Sequence, residues 1–266
     1  MKKGLYTSFL SLIFLVSCKE TTTKTDKEQL IPQNIIDLEK RVNTSPDSTQ
    51  LRLQLAMGLD SIGNTSKALQ QMDSLIKKDS ANYGLWYTKG NFYEHIKDTL
   101  QALNAYLKAA SIYPSADALL SAGNIYAEQS NNKALQVSKQ ILLMRLGREY
   151  DAHAHFIAGV YLARIGDKAA AVTALDKCIS NNYTYMEAYI EKGLVYFDAK
   201  DYTKALSIFT FASNVNNLYA DAYYYMARCY ELMGKKDSAI LRFQQSLALD
   251  KNLKEAEVGI KRLENK

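Results

Sequence analysis

The side chains that could carry catalysis or bind a metal ion are few in this chain of 266 residues, and they are badly spaced for either task. His153 and His155 are two residues apart, which places them about 200° apart around a helix, so they need a third element to share a metal ion. The remaining histidine, His95, stands alone. Ser74 and Lys77 form a Ser-x-x-Lys string without the motifs that accompany it in enzymes. We therefore expect no catalytic residue, no metal site and no cofactor.

Composition excludes further classes of protein. Hydrophobic residues make up 47% of the chain and charged residues 23%, which is typical of a folded protein with a sizeable core. Only 3 prolines and 12 glycines are present, so helices are favoured over a fold rich in strands and turns. The formal net charge is +5, and acidic side chains are interspersed throughout, so we expect no nucleic-acid partner.

A cysteine follows the first apolar run of the chain. The run, residues 5–16, comes after two lysines and is short for a membrane span. It ends in LVSC, residues 15–18, which resembles the lipobox of bacterial lipoproteins. The resemblance implies that residues 1–17 are a cleaved signal peptide and that acyl chains on Cys18 attach the protein to a membrane. The alternative is an ordinary signal peptide that ends near a cysteine.

The residues after this cysteine predict where the protein works. Residues 18–31 are rich in Lys, Thr, Asp, Glu and Gln and are interpreted as the lipidated cysteine and a flexible polar tether. Lys19, and not Asp, follows the cysteine, and the absence of Asp at this position favours the outer membrane. The pair Lys19-Glu20 weakly resembles a signal for surface display. We expect a lipid-anchored protein of the bacterial cell envelope, at the outer membrane, on either the periplasmic face or the cell surface.

A repeat organises the remainder of the chain. Trp86, Gly90 and Tyr93 stand at i, i+4 and i+7, on one face of a helix, and a second helix opens at Ala102. The same frame recurs from Tyr189 and from Tyr223 onward. The small residue that opens each second helix recurs at steps of 34, 32, 37, 34 and 34 residues, at Ala68, Ala102, Ala134, Ala171, Ala205 and Ala239.

This pattern resembles the tetratricopeptide repeat (TPR), and it is strongest in repeats two, five and six. The resemblance implies an all-α fold, a right-handed TPR α-solenoid of about six helix-turn-helix repeats with essentially no strand. A half-repeat helix is expected in residues 32–48 and a charged capping helix in residues 253–266, which makes about fourteen helices. The repeats occupy approximately residues 49–82, 83–115, 116–151, 152–185, 186–219 and 220–252.

Repeat three departs from this frame. The interval from Gly123 to Ala134 is one residue short, and Ser138 stands where an aromatic residue is usual. The stretch before repeat four, residues 142–150, is longer than in the other repeats. We predict that the superhelix bends here or that a helix is lengthened.

Glycines and cysteines have assigned places in the repeats. Gly63, Gly166 and Gly234 lie between the two helices of their repeats, where a glycine can adopt positive φ after a helix end. Cys178 and Cys229 occupy positions for small apolar residues and lie nearly two repeats apart, about 20 Å, which is too far for a disulfide. We predict that both thiols are free and buried.

In the TPR family the first helices line the concave side of the superhelix and commonly bind proteins or peptides. Repeat positions 5, 9 and 12 share one helical face, displaced from the packing face. The partner-binding groove predicted from these positions comprises Tyr87, Asn91, Glu94, Leu120, Asn124, Phe156, Val160, Ile190, Leu194, Phe197, Tyr224 and Arg228.

The middle of this stripe is apolar, which indicates an interaction surface, since sizeable apolar patches are seldom left open to water. Two alternatives remain: the stripe is covered from within by the superhelix or the N-terminal segment, or it is the seam of a homodimer. The carboxylate-clamp variety of the family uses Lys at position 5, where this chain has Tyr87 and Leu120.

The function expected from fold and location is that of a non-enzymatic scaffold or adaptor that binds a protein or peptide partner. By analogy, such a protein would assist the assembly of envelope machinery or bring substrates to a protease. The alternative is an outer-membrane receptor that captures glycan or peptide nutrients.

Overall fold

The computed structural model describes residues 31–265. These residues form fourteen helices and no strand, and each connection between consecutive helices is three or four residues long. The all-α repeat architecture expected from the sequence is confirmed. In chain order the helices are α1 (Gln33–Thr44), α2 (Thr49–Ser61), α3 (Thr65–Lys78), α4 (Tyr83–His95), α5 (Thr99–Ile112), α6 (Ala116–Glu128), α7 (Lys133–Met144), α8 (Arg148–Arg164), α9 (Lys168–Asn181), α10 (Met186–Asp198), α11 (Tyr202–Val215), α12 (Ala220–Leu232), α13 (Lys236–Leu249) and α14 (Lys254–Glu264).

The helices pack as a stack of hairpins. Helices α2, α4, α6, α8, α10 and α12, the first-helix layer, each pack on the helix that follows them; α3, α5, α7, α9, α11 and α13 form the second-helix layer. Each second helix also packs on the first helix of the next repeat, while α1 covers α2 and α14 covers α13. A single hairpin cannot bury its apolar face, so stacking supplies the core.

The core lies between the two layers, where glycines let an aromatic ring approach the backbone of the opposite helix. A Cβ atom placed on Gly90 would overlap the ring of Tyr106, and one placed on Gly193 would overlap the ring of Phe209. Both rings are completely buried. The spacing of glycine and aromatic residues in the sequence therefore reflects a close contact between the two helices of a repeat.

One position in the turn between the two helices has positive φ in all six repeats. The predicted left-handed conformation is confirmed at Gly63, Gly166 and Gly234. Three repeats place other residues there, and these residues adopt the same conformation at a steric cost. The φ angles along the chain are +78° at Gly63, +59° at Lys97, +54° at Ser130, +84° at Gly166, +61° at Lys200 and +72° at Gly234.

The predicted irregularity before repeat four is confirmed as a lengthened helix. Helix α8 has 17 residues, whereas each of the other five first helices has 13. It begins at Arg148, inside the range assigned to repeat three, after a turn in which Arg145 and Gly147 both have positive φ. Helix α8 packs directly on α6, so two first helices contact each other here.

The two cysteines of the described region, Cys178 and Cys229, are fully buried and form no disulfide, as predicted. Burial raises the pKa of both thiols to about 12, so they stay protonated at neutral pH. Cys18, the signal peptide and all but the last residue of the predicted tether lie outside the described residues. No helix within residues 31–265 is long and apolar enough to cross a membrane.

Candidate interaction surface

All twelve predicted groove residues lie on first helices, on α4, α6, α8, α10 and α12. We call the face of the first-helix layer that carries these twelve residues the first-helix surface. Contacts between neighbouring side chains and ion pairs between repeats connect the helices of this surface. What the sequence left open is which of these side chains remain accessible and which are used inside the molecule.

In repeat two the polar residues are organised by a buried tyrosine. The hydroxyl of Tyr106, on α5, reaches between the layers and donates a hydrogen bond to Asn91 Oδ1 (2.7 Å) or Glu94 Oε2 (2.5 Å). Burial, reinforced by the Glu94 carboxylate, raises the pKa of Tyr106, so the hydroxyl remains a donor. The ring of Tyr87 packs 5.5 Å from that of Tyr106. Three predicted groove residues are thus positioned by one side chain.

A concavity of about 400 Å³ lies between repeats two and three. It is lined by Glu94, Lys97 and Thr99 from repeat two and by Asn124, Ile125 and Glu128 from repeat three. Asn124 and Glu94 are both exposed here, whereas the neighbouring Leu120 is half-buried against the core. This part of the first-helix surface is open, with charged and amide groups around a largely apolar lining.

The centre of the predicted stripe is less accessible than the sequence indicated. Val160 is 2% exposed and Ile190 is 7% exposed, so neither side chain can line an open groove. Val160 is buried because α6 packs directly on α8, where it joins a cluster with Ile125 and Ile157. At these two positions the structure favours the alternative in which the stripe is covered from within.

Phe156 is also engaged inside the protein. Its ring packs 5.0 Å from that of Tyr185, and the Tyr185 hydroxyl lies 2.9 Å from Nδ1 of His153. His155 is half-buried, and burial lowers its pKa. His153 therefore belongs to an aromatic packing cluster, and within residues 31–265 no group of His, Cys, Asp or Glu side chains is arranged to hold a metal ion.

An arginine connects three repeats across the first-helix surface. Arg164, at the end of α8, donates two hydrogen bonds to the carboxylate of Glu128 on α6, at 3.0 and 3.1 Å. It donates two more to Glu191 on α10, at 3.0 and 3.1 Å. These bonds raise the pKa of Arg164 further above its already high value. Position 13 of the repeat, where Arg164 lies, was not among the predicted groove positions.

Two further apolar side chains of the surface lie on α10. Leu194 and Phe197 are half-buried and pack on the core formed by α10, α11 and α12. Leu194 also lines a concavity of about 200 Å³ together with Arg164, Glu191 and Asp198. The Leu194 side chain thus lines this concavity beside charged groups.

Repeat six, the last repeat of the surface, contains a second arginine network. Arg228 lies over the ring of Phe197, 6.0 Å from its centroid, and its Nε is 3.4 Å from a carboxylate oxygen of Glu231. Arg262, on α14, donates two hydrogen bonds of 2.7 Å to the same carboxylate. The Tyr224 ring packs 5.7 Å from that of Phe243 in the core. Arg228 and Tyr224 are therefore partly occupied by internal contacts.

The sequence reasoning missed an apolar feature on the opposite side of the molecule. Phe211, on the second helix α11, is 52% exposed and lies 5.7 Å from the ring of Tyr189. Concavities of about 450 and 330 Å³ flank it, and Ser207 and Phe211 line both. The apolar residues spread all around α11 are the signal that could have revealed it.

Two segments of the chain match family models described as tetratricopeptide repeat, residues 83–115 and residues 184–252. These segments are repeats two, five and six, in which the spacing of aromatic and small residues is most regular. The models describe a repeat and indicate no enzyme family. With its stack of helical hairpins, the protein is an all-α TPR solenoid.

Solved structures of other proteins share this fold. A tetratricopeptide repeat protein from Parabacteroides merdae ATCC 43184 superposes with a TM-score of 0.73 at 18% sequence identity, over 86% of this chain and 90% of that chain. PilW, a widely conserved type IV pilus biogenesis factor, superposes with a TM-score of 0.64 at 19% identity, over 79% and 97%. Yeast Tom70 gives 0.59 at 14% identity, over 87% and 57%. At these identities the likeness shows the fold alone. No curated protein matches the chain in sequence.

Proposed function

We propose that this protein is a non-enzymatic scaffold or adaptor that binds a protein or peptide partner on its first-helix surface. The observation that carries the proposal is the partial exposure of Leu194 and Phe197, two large apolar side chains, of which Leu194 lies in a concavity beside charged groups. An apolar centre with a polar rim is the usual anatomy of a protein interface. TPR proteins bind peptides or proteins, which agrees with this assignment.

The short connections between helices favour a scaffold over a nutrient receptor. A receptor for small glycans or peptides needs loops that enclose the ligand and bury most of its surface. Within residues 31–265 every connection is three or four residues long, so no loop is available for that purpose. The concavities on the first-helix surface suit side chains of a larger partner.

The proposed place of action is the outer membrane of a bacterial envelope, with acyl chains on Cys18 as the anchor. The support is the sequence LVSC after an apolar leader. One acyl chain holds a protein weakly and several hold it stably, so Cys18→Ala should move the protein from the membrane to the soluble fraction. The variant remaining in the membrane fraction would contradict the proposal. A role in assembling envelope machinery, by analogy with PilW, is part of this proposal and rests on fold likeness.

Binding is tested by placing a charge in the apolar part of the surface. Leu194→Glu and Phe197→Glu should abolish capture of the physiological partner in affinity purification from the native organism, because each puts a carboxylate in the interface centre. Phe156→Glu is a poorer test, because the Phe156 ring packs on Tyr185. Far-ultraviolet circular dichroism should report unchanged helicity.

Phe211→Glu is the matched control, because Phe211 is an exposed aromatic residue of the same repeat on the opposite layer. It should leave capture unchanged. Recovery of the same proteins with all three variants would exclude the first-helix surface as the binding site. Loss of capture only with Phe211→Glu would place the binding site on the second-helix layer.

A further inference from the structure

The two helix layers carry opposite charge. The six first helices contain six basic and eleven acidic side chains, a net charge of −5, whereas the six second helices contain eleven basic and three acidic side chains, a net charge of +8. The chain as a whole has a formal charge of +5. Acidic groups are therefore concentrated in the layer that forms the proposed binding surface, although the chain as a whole has a positive net charge.

The first-helix surface already binds two guanidinium groups of its own chain. Glu128 and Glu191 each accept two hydrogen bonds from Arg164, and Glu231 accepts two from Arg262. Arg262 comes from α14, outside the six repeats, and reaches the surface of the last one. Paired hydrogen bonds of this kind are the strongest that a carboxylate forms with a side chain. Carboxylates of this surface can therefore bind a cationic side chain through paired hydrogen bonds.

Glu187 and Asp221 are two of the carboxylates of the first-helix layer that have no such partner. Glu187 and Asp221 occupy the same repeat position, in the first turns of α10 and α12. In the described part of the chain neither lies within ion-pair distance of a basic group. Burial, together with the negative charges of Asp250 and Glu187, raises the pKa of Asp221. A cation placed beside Asp221 would favour the ionised form of this carboxyl.

These two carboxylates lie in line with the accessible apolar residues. Glu187, Leu194 and Phe197 are at i, i+7 and i+10 on α10, which places them on one face of the helix. On α12, Asp221 stands in the same register with Tyr224. Each helix therefore presents a carboxylate at its start and apolar or aromatic surface farther along.

We propose that the parallel faces of α10 and α12 bind an extended, cationic segment of a partner protein. Lysine or arginine side chains of that segment contact Glu187 and Asp221, and its apolar side chains contact Leu194 and Phe197. The carboxylate-clamp variety of the repeat has lysine on this surface for acidic partners, and here the sign of the charge is reversed. The inference rests on the proposed function and names the chemistry of its partner.

The probe for this proposal is a short fluorescein-labelled peptide of alternating lysine and leucine, titrated with protein and followed by fluorescence anisotropy. The peptide should bind, and its affinity should fall as ionic strength rises, because screening weakens exposed charge pairs. The Glu187→Gln and Asp221→Asn double variant should bind it roughly 3- to 20-fold more weakly, since each exposed pair contributes modestly. A peptide with glutamate in place of lysine should not bind.

The matched control is the Asp237→Asn and Glu255→Gln double variant. Asp237 and Glu255 are exposed, lie in the first turns of α13 and α14, and contribute the same charge and the same favourable interaction with the helix dipole. This variant should bind the lysine peptide as the parent does. Equal binding by the Glu187→Gln and Asp221→Asn variant and the parent, equal loss in both double variants, or equal binding of the glutamate peptide would overturn the proposal.

Failure of this inference differs from failure of the proposed function. If Leu194→Glu abolishes capture of the physiological partner while neutralising Glu187 and Asp221 has no effect, the surface binds a partner of different charge. If neither change affects capture, the first-helix surface is not the binding site.

Discussion

The first-helix and second-helix layers are built from the same repeat and differ in what they present to solvent. Between the layers, both use small residues facing aromatic or aliphatic ones, as at Gly193 and Phe209. On the outward faces, the first layer has an excess of carboxylates and arginine pairs, whereas the second is basic and exposes Phe211. Residues packed between the layers are constrained by volume, so specificity can reside only in the outward faces.

The largest expected effect concerns the two faces of one second helix. Phe209 is completely buried between the layers and Phe211, two residues later, is 52% exposed. Phe209→Ala should lower the free energy of unfolding by about 3–5 kcal/mol, because it removes packed surface and leaves a cavity. Phe211→Ala should change it by less than about 1 kcal/mol. Chemical denaturation followed by circular dichroism measures both, and equal losses would show that the outer face of α11 is also buried in solution.

A smaller effect is expected from the two faces of the first helices. Gly193→Ala should destabilise by about 1–3 kcal/mol, since the new methyl group would displace the ring of Phe209. Gly84, on α4, has only the Asn82 side chain nearby, at 3.4 Å, so Gly84→Ala should stabilise by about 0.5–1 kcal/mol. Thermal unfolding of the two variants gives shifts of opposite sign, and a shift of the same sign would contradict the close approach of the Phe209 ring to Gly193.

The smallest effect concerns the turn that joins the layers. Lys200 has φ of +61° at the position where three other repeats have glycine. Lys200→Gly should stabilise by about 0.5–1 kcal/mol, because it relieves a left-handed residue, net of the added freedom of the unfolded chain. Gly166→Ala, at the equivalent position, should destabilise by a similar amount. A melting temperature that falls with Lys200→Gly would mean that the lysine side chain has a stabilising contact of its own.

Much of the fold was predictable because each repeat uses the same packing contacts between its two helices. The steps between Ala68 and Ala239 located the hairpins, and glycine marked three of the six left-handed turns. The lengthening before repeat four was also predictable, from the extra residues between Leu142 and Tyr150. Local spacing is sufficient for such features, since each repeat contacts only its neighbours.

The candidate site was predictable only in outline. Helical periodicity placed Val160 and Ile190 on the predicted stripe, but it carries no information on how closely neighbouring repeats approach. Both residues are buried because of contacts with other helices. Arg164 was missed for a related reason, since its two acceptors lie 36 and 27 residues away in sequence.

The sequence by itself determined the all-α repeat, the hairpin order, the buried cysteines and the layer in which each helix lies, because these depend on spacings within one repeat. Tertiary structure alone decided which groove residues stay accessible, which carboxylates are neutralised by Arg164 and Arg262, and which, as at Glu187 and Asp221, remain unpaired. The physical reason is that accessibility and ion pairing depend on the angle and distance between successive repeats. Those quantities arise from the stacking of whole hairpins, and no single repeat encodes them.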